Sequence, residues 1–324
     1  MNPAIEALLS DLPELGIKRN VSFKTYTTLM AGGNAAYLAD IHSVDVFAKA
    51  AAEAQMRGLP HIILGSGSNI LPSDKGYDGL VLVNHCRVMR FSAGESYAEC
   101  GCWFQDVSMR AAQPGLSGLE FAVGIPGTLD GALVSNAGAY QASIGELLTG
   151  VEVVRDGRRR WEQPEYLEFQ YRDSILRRPE PPAMALLSVK MQLTSARPLD
   201  IYDKARDLQR QRISKQPPHP SAGSFFKNVR DPELAQRVDG LTPTLREKGI
   251  IPSAVLIEQC GLKGKTIGRA RISERHANFI CNLGGATAWD IRSLARLAKT
   301  QVMDKFGVTI EEEALYIGDW SDWS

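Results

Sequence analysis

Residues 115–145 form a glycine-dense stretch, and such a stretch fixes what can be built around it. Within it runs Gly124-Ile125-Pro126-Gly127-Thr128-Leu129-Asp130-Gly131-Ala132, followed by Asn136-Ala137-Gly138-Ala139-Tyr140. Glycine costs conformational entropy and is kept where a backbone turns sharply or is approached closely. A second such loop comes earlier, where the β-rich run at 59–64 delivers the chain into Gly65-Ser66-Gly67-Ser68-Asn69. Amides free of obstructing side chains make anion-binding nests, and Ser66, Ser68 and Thr128 add hydroxyl donors, so the two loops can hold a pyrophosphate between them. Tight turns in any α/β domain use glycine as well, and composition alone leaves the two readings level.

The familiar phosphate fingerprints do not fit. Gly261-Leu262-Lys263-Gly264-Lys265-Thr266 ends like a P-loop but has two residues between its glycines where four are needed, with Gln259 in place of the first glycine. It reads instead as a glycine cap after a helix at 253–260. A dinucleotide fingerprint also fails, because Gly65-Ser66-Gly67 is followed by Ser68, Asn69 and Ile70.

Around these loops the chain reads as alternating α and β. Val44, Phe47, Ala48 and Ala51 recur at helical spacing in 43–58, and Ile291, Leu294, Leu297, Ala298, Val302 and Phe306 do so in 291–306. Residues 147–154 and 185–193 read as strands, 200–215 as a charged helix broken by Gln216-Pro217-Pro218-His219-Pro220, and 308–317 as a strand-like tail. The break at 216–220 predicts a domain junction.

With 37 Lys+Arg against 37 Asp+Glu, the formal net charge is zero, which disfavours general attraction to nucleic acid or anionic lipid. A local cationic patch for a small anion stays open. Cys86, Cys100, Cys102, Cys260 and Cys281 form neither a disulfide framework nor a metal pair, so no metal is expected and the thiols read as those of a cytoplasmic protein. The first twenty residues carry acids and a proline where a signal peptide needs an unbroken apolar run, and no window approaches a spanning helix. Neither nucleic acid, membrane nor an obligate protein partner is expected.

Three further segments carry possible chemistry. Pro220-Ser221-Ala222-Gly223-Ser224-Phe225-Phe226-Lys227-Asn228 sets polar side chains in a small-residue turn flanked by aromatics, able to expose one hydroxyl in a dry pocket. Arg172, in Tyr171-Arg172-Asp173-Ser174, can fork onto a carboxylate. Glu311-Glu312-Glu313 taken alone reads as a solvated charge run.

In this order, the segments at 20–35, 64–71, 119–140, 171–174, 212–228, 270–290 and 313–318 resemble the UDP-N-acetylenolpyruvoylglucosamine reductases of bacterial peptidoglycan synthesis. The resemblance implies an α+β fold in three domains, with a vanillyl-alcohol-oxidase-type FAD-binding region in two parts and a separate α+β substrate domain. Mapped here, it implies domains at 1–87, with the tail 308–324 packing back on it, at 88–199 and at 200–307. Non-covalent FAD is implied, since His61 gives no clear match to a covalent attachment site. Its implied contacts are Tyr26, Thr27, Thr28, Gly65, Ser66, Gly67, Ser68, Asn69, Gly124, Ile125, Pro126, Gly127, Thr128, Gly131, Ala132 and Gly138. NADPH is implied as co-substrate on the same face of the flavin.

The implied reaction reduces an enol ether: hydride arrives at the terminal enolpyruvyl carbon, and negative charge develops on the adjacent carbon and its carboxylate. Arg172 and Glu313 match the family positions that hold this charge, and Ser224 the one that delivers the proton. Arg212, Lys215 and Asn228 match those facing the substrate diphosphate. The chain is similar to the shorter subtype, so Tyr202 is given no substrate-covering role. It departs from the family at Asp130, Gln141 and Arg269, each in place of glycine, and at Val229, in place of proline. A carboxylate at 130 would repel a pyrophosphate unless it points away or meets a cation. Two alternatives to the reductase are a flavin dehydrogenase of the same fold with another substrate and a silent flavin- or nucleotide-sugar-binding protein.

Overall fold

The computed structural model describes residues 2–323, which fall into two compact units. The first takes the chain up to Val21, then Ala35–Gly67 and Asp78–Ser214; the second takes Ser22–Asn34, Ser68–Tyr77 and the chain from Lys215 onward.

Two sheets organise the first unit. One is four-stranded, in the order Lys18–Ser22, Asn34–Ile41, Tyr77–Asn84, His61–Leu64, with the last pair parallel. The expected amphipathic helix is Val44–Met56, whose Phe47, Ala48, Ala50, Ala51 and Ala54 are buried, and Gly58 at φ +60° lets the chain leave it. The other sheet is antiparallel and five-stranded, in the order Arg158–Glu162, Leu148–Arg155, Met184–Met191, Ser96–Glu99, Met89–Arg90. Along Met184–Met191, Ala185 and Leu187 enter the core shared with Phe47, whereas Leu186, Val189 and Met191 enter the one shared with Phe104 and Leu133. A strand buried on both faces has no polar side, which explains its near-continuous apolar run.

A third core fills the second unit, where Phe225, Phe226, Ile257, Ile280, Ile291, Leu294 and Val302 pack with Leu29, Ala31 and Leu71. Its long helix, Ala288–Phe306, starts with a capping box of Thr287 and Asp290 and stops at Gly307, φ +73°. The carboxylate of Asp74 accepts from the Ala288 and Trp289 amides at 2.8 and 2.9 Å, satisfying two orphan donors of the first turn where the helix dipole favours an anion. The tail is strand-like over less of its length than the sequence implies. Only Leu315–Ile317 is a strand, parallel to Ile70–Pro72, because Ile310 and Ala314 are drawn into the core and Glu312 bridges to Phe226.

Buried Asn282 ties the early segment into this unit. Its Nδ2 donates to the Leu29 and Met30 carbonyls at 2.9 and 3.1 Å, and its Oδ1 accepts from the Gly284 and Ala286 amides. Asn282→Ala leaves the buried Leu29 carbonyl and Ala286 amide unpaired, an expected loss of about 2–4 kcal/mol. A denaturant melt followed by tryptophan fluorescence checks it; an unshifted midpoint would refute the role given to Asn282. Among the described residues no helix is long and apolar enough to cross a membrane.

Candidate active site

In the first unit the two glycine loops meet. A β-carbon at Gly65 would lie 1.9 Å from Thr128 Oγ1 and 2.5 Å from Asp130 Oδ1, so only glycine fits. Gly127, at φ +133°, makes the turn that brings Thr128 there. The Ser66 hydroxyl is buried without a partner among the described residues. In the second unit the Thr27 hydroxyl is in the same condition, while Thr28 donates to the Ser221 carbonyl at 2.8 Å. The orphaned Ser66 hydroxyl, beside a cradle a β-carbon would fill, fits a ligand rich in acceptor oxygens such as FAD.

Asp130 is turned inward. Its Oδ1 accepts from the Thr128 hydroxyl at 2.5 Å and from the Gly131 amide at 2.6 Å, and its Oδ2 accepts from Asn84 Nδ2 at 3.2 Å. Burial pushes the carboxyl up to about 6, against the lowering effect of these donors. The Gly131 amide, expected in the pyrophosphate cradle, is thus engaged by a side chain. The Gly124 amide donates to Gln105 Oε1 at 2.9 Å and that of Ile125 to the Ala122 carbonyl at 3.0 Å, so this stretch lends shape more than free donors. The amide of buried Ala132 donates to the Thr128 carbonyl at 3.0 Å, forming the first turn of the helix Leu129–Val134.

Arg172 and Arg212 belong to this unit too. Arg172, at φ +52°, donates through Nη2 to the Gly138 carbonyl, and Gly138 itself admits no β-carbon, which would lie 2.3 Å from the Ala142 carbonyl. Asn136, Tyr140 and Gln141 also hold positive φ, a concentration of backbone strain of the kind that gathers at functional sites. Arg212 donates to the Phe121 carbonyl at 3.2 Å; burial, together with the charge of Arg172, holds its guanidinium below its ordinary value, while Tyr140 acts the other way. Two half-buried guanidiniums beside a tyrosine suit an anion. Tyr140 carried no signal in the sequence beyond its place after Ala-Gly-Ala, since its strained φ is set by folding.

The second unit brings Ser224 and Glu313 together. Gly223, at φ +76°, turns the chain into Ser224; the Glu313 amide donates to the Phe225 carbonyl at 2.8 Å, and Phe226 bridges to Glu312. Asn69 extends the neighbourhood, its side chain donating to the Glu313 carbonyl at 3.1 Å. The acidic run is not a uniform solvated face, because Glu311 pairs with Lys227 and Glu312 with Lys299 and the Tyr316 hydroxyl. Half-buried Asn228 and exposed Lys215 lie in this unit. Arg172 and Arg212 thus fall in one unit, and Ser224, Glu313, Lys215 and Asn228 in the other.

A family model described as an FAD binding domain matches residues 35–159, and one described as the UDP-N-acetylenolpyruvoylglucosamine reductase C-terminal domain matches residues 215–317. The chain is 36% identical over 315 residues to the UDP-N-acetylenolpyruvoylglucosamine reductase of Caldicellulosiruptor saccharolyticus, covering 94% of each chain. It is 36% identical over 313 residues to that of Synechococcus sp. strain JA-3-3Ab, covering 94% of this chain and 93% of the relative. The crystal structure of UDP-N-acetylenolpyruvylglucosamine reductase from Thermus caldophilus superposes with a TM-score of 0.73 at 30% identity, covering 93% of this chain and 98% of that one.

Proposed function

The chain belongs to the UDP-N-acetylenolpyruvoylglucosamine reductase family, and on that premise we infer its reaction: NADPH-dependent reduction of UDP-N-acetylglucosamine enolpyruvate to UDP-N-acetylmuramate, a step in peptidoglycan precursor synthesis. It is an α+β flavoenzyme, an oxidoreductase that uses FAD with NADPH as co-substrate. FAD, held by the glycine loops, would supply the hydride-transfer chemistry between NADPH and the enolpyruvyl group that side chains lack.

The side chains have two tasks in this reading. Charge developing on the substrate carbon and its carboxylate must be held, and preorganised groups aimed at such charge are commonly the largest catalytic contribution. Arg172 does this with its guanidinium. Glu313 is the second group assigned to that charge. Ser224 then delivers the proton that completes the lactyl ether. Arg212, Lys215 and Asn228 take the diphosphate. The observation that carries this assignment is the backbone pairing that sets Glu313 beside Phe225, next to Ser224.

The cradle is read as Tyr26–Thr28, residues 65–69, residues 124–128, Gly131 and Ala132, with Gly138. Its support is the close approach of Gly65 to Thr128 and the orphaned hydroxyls of Thr27 and Ser66. A division at 1–87, 88–199 and 200–307, with 308–324 returning to the first part, is supported by the two sheets lying at 18–84 and 89–191 and by the pairing of Leu315–Ile317 with Ile70–Pro72. Five free cysteines support a cytoplasmic setting, where the enzyme meets its two small-molecule partners.

One cuvette tests the reaction. The flavin bands of the purified protein are expected to bleach anaerobically with NADPH and to return on addition of the enol ether. Bleaching without return would point to a flavin dehydrogenase with another substrate. A colourless protein that takes up no FAD would count against the cofactor assignment.

A further inference from the structure

Asp130 departs from the family glycine, and its contacts give it a use. A hydroxyl carries one hydrogen and two lone pairs, whereas an ionised carboxylate only accepts. At 2.5 Å the Thr128 hydrogen is therefore committed to Asp130 Oδ1 for as long as Asp130 is ionised, leaving Thr128 only lone pairs to present elsewhere. Lone pairs, and a carboxylate behind them, repel a phosphate oxygen. A proton on Asp130 reverses the bond: Asp130 donates, Thr128 accepts, and the Thr128 hydrogen is released. The Gly131 and Asn84 donors keep their acceptors on the remaining lone pairs. The pair packs directly against Gly65, where a β-carbon would lie 1.9 Å from Thr128 Oγ1 and 2.5 Å from Asp130 Oδ1.

We propose that FAD binding to this chain takes up one proton from solvent, held between Asp130 and Thr128, so that Thr128 turns its hydroxyl hydrogen toward the pyrophosphate. The proposal rests on the assignment of Thr128 to the flavin cradle. Asp130 is a positioning residue, acting through Thr128.

The surroundings fit. Burial pushes Asp130 up to about 6, so above that pH the carboxylate is ionised before the flavin arrives. The titratable groups acting around it are the thiols of Cys86 and Cys100, both pushed up by burial, Cys86 to about 12, and hence neutral. Glu99, next to Cys100, is also raised by burial, but its carboxylate accepts from the Val88 amide at 2.8 Å. The sign follows from linkage. A group that binds its proton more tightly in the complex weakens binding as pH rises above its free pKa, by up to about tenfold per unit, and leaves it flat below.

The test strips FAD from the full-length holoenzyme and titrates the apoprotein with FAD by flavin fluorescence between pH 6 and 8.5. The expected result is a Kd weakening about tenfold per pH unit above Asp130's pKa. Calorimetry at pH 8 in two buffers of different ionisation heat should show about one proton taken up per FAD. Asp130→Asn and Thr128→Val should each flatten the profile, and Glu99→Gln should keep it. A flat wild-type profile, no proton uptake, a slope surviving in Asp130→Asn, or a slope lost in Glu99→Gln would overturn the proposal. Wild-type calorimetry decides even where a variant fails to fold. Absence of FAD binding at every pH would bring down the cradle assignment and the proposal with it, whereas pH-independent binding would remove the proposal alone.

Discussion

With Ser224 replaced by alanine, NADPH still bleaches the flavin as in the wild type, while the return of colour on adding the enol ether slows by about 10²–10⁴-fold, the usual worth of a positioned general acid. A serine hydroxyl is a very weak acid and gives up its proton only to a strongly basic carbon. Such a carbon arises only after hydride transfer, so the residue matters in the second half-reaction and not in the first. The structure holds Ser224 firmly for this: Gly223 sets the turn before it, and Phe225 and Phe226 behind it are buried in the core. Alanine keeps that packing and removes only the hydroxyl. Stopped-flow absorbance separates the two half-reactions, and an undiminished return would take the proton-donor role away from Ser224.

Arg172→Lys should lose about 100- to 1000-fold in kcat, the cost typical of removing one donor from an oxyanion site. The positive charge survives in this variant, so the loss measures geometry. Arg172 donates through Nη2 to the Gly138 carbonyl and presents a planar fork that matches a carboxylate. A lysine ammonium is a point charge on a flexible stem and cannot do both. Steady-state kinetics check this, and kcat within a few-fold of wild type would show that charge alone suffices at this position.

The parts of this structure visible in the sequence are those set by neighbours along the chain. The helices Val44–Met56 and Ala288–Phe306 announce themselves by apolar spacing, and His61–Leu64 by a short β-rich run ending in glycine. What the sequence hides is set by distant contacts. Residues 308–317 read as one strand-like tail, yet Ile310 and Ala314 are drawn into the core and only Leu315–Ile317 forms a strand. The charge of Asp130 is obvious in the sequence, but the Asn84 amide that helps turn it inward lies 46 residues away. Pattern alone marks neither Arg172 nor Tyr140 as strained, because L-residues take positive φ only when their surroundings impose it. Each catalytic candidate was weak by itself, and the order of all the segments together made the family legible.

The interleaving of the two units has a bearing on how the chain is made. Asn282 reaches back 253 residues to Leu29, and Leu315–Ile317 pairs with Ile70–Pro72. On the ribosome, Ser22–Asn34 and Ser68–Tyr77 emerge early but cannot find these partners until nearly all of the chain has been translated. These two short segments therefore wait for Asn282 and Leu315–Ile317 through most of synthesis, with Leu29 and Leu71 lacking the later core they pack into, which leaves apolar surface exposed for that time.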